Sequence, residues 1–139
     1  MKKILTIVVL VAVALVLVAA PASAKKKNKG GEARIQFTES VHDFGLIDEK
    51  GGAVSHTFEF VNTGDGNLVI NDVRTQCGCT RPDFPKNPIA PGKKGKIKIT
   101  FLPTGRQGSL NKTATVYTNG HPRKVELKIR GRVAPKTKK

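Results

Sequence analysis

Two cysteines one residue apart, in Cys77-Gly78-Cys79, are the side chains of this sequence whose type and spacing point most directly to chemistry. Outside the cytoplasm, neighbouring thiols tend to oxidise. A disulfide between residues i and i+2 needs its Cα atoms within about 6.8 Å. A fully extended strand does not allow that, but a chain turned at Gly78 does. Loop entropy credits such a three-residue ring with only about 1.6 kcal/mol, against roughly 3 for a fifteen-residue one. A small gain set against strain describes a labile bond rather than a staple. Four uses stand open: packing or a local disulfide that shapes a strand-to-loop corner, thiol exchange, a soft-metal site for Cu(I) or Zn, and pairing with another chain. A closed zinc site takes four ligands. His42, His56 or His121 would therefore have to join the two thiolates in space, and the only methionine is Met1.

The three histidines give no catalytic set on their own. His42 precedes Asp43, and adjacent residues on a strand face opposite sides unless a bulge intervenes. His56 is in phase with Val54 and Phe58, which reads as an inward-facing histidine. His121 sits beside Pro122 and reads as a turn residue. No serine lies in a nucleophile-elbow context, and no nucleophile–base–orienter set is visible. The sequence therefore points away from an enzyme and names no cofactor, no metal and no catalytic residue.

The elements that must position these residues are short strands separated by turns. Arg34–Glu39 alternates Ile35 and Phe37 with polar neighbours, and His42–Ile47 is a second short strand. Gly51-Gly52 opens Ala53–Asn62, with Val54, Phe58 and Phe60 on one face. Thr63-Gly64-Asp65-Gly66 is a turn. Asn67–Thr75 follows, with Leu68, Ile70 and Val73 as core contacts. Arg81–Gly92 holds Pro82, Pro85, Pro88 and Pro91 and so reads as a loop crossing between sheets. Beyond it, Ile97, Ile99 and Phe101 alternate with Lys94, Lys96 and Lys98. Lys112–Thr118 places Ala114 and Val116 on one face and Tyr117 on the other. Asn119-Gly120 is a strong hairpin signal, of the kind that makes a type I′ turn with positive φ at both residues. Arg123–Val133 closes the series with Val125, Leu127 and Ile129 in phase. No segment after Ala24 keeps a helical period. About seven strands over some hundred residues fit an all-β, immunoglobulin-like β-sandwich preceded by a signal peptide, with a small open barrel as the alternative. No tryptophan and no widely spaced cysteine pair are present, so apolar burial between two sheets must hold it.

Charge and the N-terminus set the compartment. Lys2 and Lys3 precede the apolar run Ile4–Ala20, Pro21 breaks it, and Ala22-Ser23-Ala24 offers small residues to a signal peptidase. Residues 1–24 thus read as a signal peptide cleaved after Ala24. An uncleaved N-terminal anchor is the rival, because a spanning helix needs roughly 17–25 apolar residues. The lysines just after the site, Lys25–Lys29, favour the cytoplasmic side and work against easy export. Residues 25–33 read as a flexible basic segment, 34–133 as the sandwich domain and 134–139 as a basic disordered tail. The net charge is +15, which implies a solvated surface or an anionic partner. For an exported protein, periplasmic or secreted, that partner is another protein or an anionic envelope polymer, and chromosomal nucleic acid is out of reach. Lys94, Lys96 and Lys98 could form one cationic face with Lys124, Lys128 and Arg130 if their strands share a sheet.

One resemblance rests on residues in order. These are His42-Asp43-Phe44-Gly45-Leu46-Ile47, Phe58-Glu59-Phe60-Val61-Asn62-Thr63-Gly64, Leu68-Val69-Ile70, Val73–Thr80 with its Cys-Gly-Cys-Thr, and Pro88-Ile89-Ala90-Pro91-Gly92. Over Arg34–Val133 the chain resembles a bacterial family of exported domains of unknown function, related to the immunoglobulin-like domains of hydin and major sperm protein. The Cys-Gly-Cys-Thr followed by Pro-Ile-x-Pro-Gly is its specific part. The resemblance implies a fold and a location and carries no activity. Sandwiches of this kind offer edge strands and end loops to partners. The loop Cys77–Pro91 is the expected interaction surface, with Thr80, Pro82, Pro85, Pro88 and Pro91 as its candidate residues.

Overall fold

A computed structural model describes residues 30–135. The expected signal peptide with its cleavage at Ala24, the lysines of Lys25–Lys29 and the last four residues of the expected basic tail lie outside that range. Eight strands follow one another: β1 (Ile35–Phe37), β2 (Val41–Asp48), β3 (Val54–Asn62), β4 (Ile70–Thr75), β5 (Thr80–Asp83), β6 (Lys94–Phe101), β7 (Gly108–Thr118) and β8 (Lys124–Ala134). They form two four-stranded sheets, ordered β1-β3-β6-β5 and β2-β8-β7-β4. The expected all-β sandwich is therefore present, and among the described residues there is no helix, so none long enough to cross a membrane.

Period-two alternation explains most of the packing. Along β6 the lysines face out while Ile97, Ile99 and Phe101 are buried, and β3 opposes them in antiparallel register from Val54↔Phe101 to Val61↔Lys94. Phe58 and Phe60 lie fully inside. From the other sheet, Val73, Leu110, Ala114, Val116, Leu127, Ile129 and Val133 close the core. In β4 the alternation shifts between Ile70 and Asp72, where the register with β7 slips, so both Ile70 and Val73 reach the interior. Strand β2 breaks the same way between Asp43 and Leu46, where Gly45 takes φ +66°, a backbone conformation that suits glycine. It pairs parallel with β8, and Leu46 beyond the bulge is 75% exposed.

Four expectations change. The segment Arg81–Gly92 is not wholly a loop: β5 occupies its start and pairs with β6, Pro82 opposing Ile99. This edge position tolerates a proline because the missing N–H faces away from the ladder. The crossing between sheets comes earlier, in Gln76–Cys79, between β4 and β5. Asn119-Gly120 does join β7 to β8, but neither residue has positive φ. Gly120 is required instead for close approach, since a Cβ there would lie 2.5 Å from the Ala33 carbonyl oxygen. Within the expected flexible segment 25–33, two residues are tied to the domain. Ala33 is buried and accepts from His121 N at 2.8 Å, and Glu32 accepts from Asp65 N at 3.1 Å. At the other end, Ala134 still pairs with Asp48 at the end of β2, so the tail begins after the last strand residue.

Candidate functional site

Cys77 and Cys79 are joined as a disulfide, with Cα atoms 5.3 Å apart. The bond sits where the chain leaves one sheet for the other. Cys79 is buried and Cys77 half-buried, so a nucleophile from solvent would meet the Cys77 sulfur. The corner is also closed without sulfur. Thr80 N donates to Cys77 O at 3.2 Å, Leu102 N to Cys79 O at 2.9 Å, and the Thr75 hydroxyl to Thr80 O at 3.1 Å. Among the described residues no histidine or carboxylate joins the sulfurs in a ligand cluster.

Past the corner, the loop from Phe84 to Ile89 folds over the outer face of β6. Between them lies a shallow groove of about 500 Å³, with Phe84, Pro85 and Ile89 on one side and Lys94, Lys96 and Lys98 along the other. Thr57 and Asp83 complete its margin. Phe84 packs half-buried against the core, and the Lys86 ammonium lies 3.4 Å from its ring centroid, a cation–π contact that adds a charge to the rim. Lys96 pairs with Glu59 across the strands at 3.6 Å. Lys94 and Lys98 have no ion-pair partner among the described residues. Of the expected loop residues, Pro82 and Pro85 are partly covered and Pro88 and Pro91 are exposed, while Thr80 is 3% exposed and faces the interior. Phe84 and Lys86 escaped the sequence reading because a lone Phe beside prolines reads as loop filler.

The expected cationic face divides in two. β6 and β8 belong to different sheets, so Lys94, Lys96 and Lys98 lie on one outer face and Lys124, Lys128 and Arg130 on the other. Alternation alone places each row outward; only the sheet assignment separates them.

The histidines gather elsewhere. His42 on β2 and His56 on β3 stack with ring centroids 3.5 Å apart, and the His56 Nε2 meets the Glu39 carboxylate. Burial first, and then the His56 ring, hold the His42 imidazole below its ordinary range, against the opposing pull of Glu39 and Asp43. The bulge in β2 does not make His42 and Asp43 a pair, since the Asp43 carboxylate accepts from Gly45 N at 2.7 Å. His121 stands apart, in the β7–β8 connection and exposed.

Two sheets closed face to face, with a shallow surface groove, define a small β-sandwich module. The chain belongs to the family described as Protein of unknown function (DUF1573), which matches residues 35–133. No curated protein matches the chain. Among solved structures it is similar to a protein of unknown function from Porphyromonas gingivalis W83, at 19% identity and a TM-score of 0.62, covering 81% of this chain and 51% of that one. It is also similar to the VesB protease of Vibrio cholerae, at 11% identity and a TM-score of 0.55, over 75% of this chain and 32% of that one. The secreted serine protease VesC from the same organism matches at 12% identity and a TM-score of 0.50, over 76% and 24%. The chain thus spans about half of the first and a third or less of the two proteases. At these identities the likeness is one of fold alone.

Proposed function

We propose that this protein is an exported, non-enzymatic binding module of the bacterial envelope, and that the groove between the Phe84–Ile89 loop and the β6 lysines docks an anionic envelope polymer. One observation carries the reading: an apolar wall of Phe84, Pro85 and Ile89 faces a row of lysines, two of them without an ion-pair partner among the described residues. Sugar rings pack on such a wall while their carboxylates or sulfates meet ammonium groups. The export signal read from residues 1–24 supports the compartment, and the family resemblance supports an immunoglobulin-like fold. Anionic docking of this type weakens steeply with salt.

Retention on an acidic polysaccharide column tests it, using protein trimmed of Lys25–Lys29 and Pro135–Lys139. Reversing Lys94, Lys96 and Lys98 to Glu abolishes retention, while reversing Lys124, Lys128 and Arg130 on the opposite face leaves most of it. Equal losses from both triples would reduce the effect to net charge and end the groove proposal.

A further inference from the structure

We propose that Glu39, His42 and His56 form a binding site for a first-row divalent transition metal, independent of the cysteines and of the lysine groove. One ligand atom from each of the three lies within 4.8 Å of the other two. No three consecutive sequence positions could do this: His42 and His56 come from different sheets and meet where β2 and β3 approach each other.

Backbone pairing fixes the chain around each ligand. Thr38 N donates to Glu59 O at 3.0 Å and Lys128 N to Ser40 O at 2.8 Å, so the residues flanking Glu39 are tied one to each sheet. His42 lies opposite Ile129 on β8, and His56 opposite Ile99 on β6. Phenylalanines brace the rings edge-on, Phe44 against His42 at 4.7 Å and Phe58 against His56 at 4.8 Å. The two imidazoles thus stand on strands, while Glu39 comes from the β1–β2 connection; ligands carried on rigid elements favour a metal site. The mouth stays open, since the His56 and Glu39 side chains are 22% and 44% exposed, so water can complete the coordination.

The donor set chooses the ion. Two imidazoles and one carboxylate suit Cu²⁺, Ni²⁺, Co²⁺ and Zn²⁺, while Ca²⁺ takes six or more oxygen ligands and Mg²⁺ prefers oxygen as well. The affinity order should follow Cu²⁺ above Ni²⁺, Co²⁺ and Zn²⁺. One adjustment is needed. The two ring planes are 5° from parallel, so their lone pairs run side by side, and the rings must turn about their Cβ–Cγ bonds for the nitrogens to converge on one ion. Asp43 is not among the residues whose ligand atoms converge there, and its Oδ1 accepts from Gly45 N.

The test is calorimetric titration of the purified, untagged protein with Zn²⁺ and Cu²⁺, alongside ¹⁵N NMR of the imidazoles. One ion binds per chain, and Zn²⁺ shifts the ring-nitrogen signals of His42 and His56 but not of His121. His42→Phe and His56→Phe, which keep the ring packing, each weaken binding by more than about tenfold, the least that even an outer-sphere change costs. Glu39→Gln weakens it less, and His121→Ala leaves it unchanged. The NMR arm needs no variant, so a misfolded mutant does not blunt the result. Absence of binding by the folded wild type, or binding that survives in the His42→Phe/His56→Phe double variant, overturns the proposal.

Discussion

The two ends of β4 are held in opposite ways. Beyond its C-terminal end, the Cys77–Cys79 bond links residues two apart, and hydrogen bonds from Thr75, Thr80 and Leu102 already close the same corner. Before its N-terminal end, one fully buried amide, Asn62, ties four backbone groups from three stretches of chain. Its Nδ2 donates to Gly66 O at 2.7 Å and Ile89 O at 2.9 Å, and its Oδ1 accepts from Arg34 N at 3.2 Å and Gly64 N at 3.1 Å. That uses the whole hydrogen-bonding capacity of the side chain. The covalent link is conspicuous and local, whereas the amide is inconspicuous and joins residues up to 28 positions away. A crosslink over a short loop removes little entropy from the unfolded chain, while a buried amide stripped of partners exposes several groups to full desolvation cost. The amide should therefore matter more.

Replacing Asn62 with Leu tests the stronger half of that contrast. It keeps the branching and the number of heavy atoms but leaves Arg34 N and Gly64 N without their acceptor, and its bulkier methyls add overpacking, so it should cost about 3 kcal/mol or more in urea unfolding. A loss below about 1 kcal/mol, the net worth of one ordinary hydrogen bond, would break the contrast. Reducing the disulfide in the same assay should lower stability by no more than about 1.6 kcal/mol, with the far-UV spectrum unchanged. A larger loss would make the corner a staple after all. The smallest effect belongs to a surface pair on β4 itself, Asp72 and Arg74, which contact at 2.9 Å. The Arg74 hydrogen bond holds the Asp72 carboxyl below its ordinary 3.8, so any stability the pair adds is present above that pH and fades as pH falls further. Both side chains reach solvent, Arg74 more than Asp72, and screening there leaves little. Arg74→Ala should leave the urea midpoint unmoved at neutral pH, and a measurable shift would show that exposed charge also holds this strand.

Much of the fold was legible because a two-residue period is a local signal. Ile97, Ile99 and Phe101 announce their burial within eight residues of chain, and the all-β reading followed from repeating that pattern. Strand β5 was not legible, since Pro82 hides an edge strand inside a proline-rich stretch. The hairpin at Asn119-Gly120 was seen for a reason that does not operate: steric room against Ala33, not positive φ, demands the glycine. Asn62 read only as the last residue of a strand before a turn, because its partners Arg34 and Ile89 lie 28 and 27 residues away. At the candidate sites, the cysteine pair and each lysine row could be named from sequence, but Phe84 over the groove and Glu39 beside the histidines could not.

By itself the sequence determined all the strands but β5, most of their inward faces, the cationic surface and the expectation of export, all of which depend on residues within a few positions of one another. Only the tertiary structure decided which strands share a sheet. That choice separates Lys94, Lys96 and Lys98 from Lys124, Lys128 and Arg130, brings His42 against His56, and gives Asn62 its partners. The reason is physical: alternation dictates the face a side chain takes on its own strand, whereas sheet membership is settled by backbone pairing and apolar burial across the whole sandwich, which no local window contains.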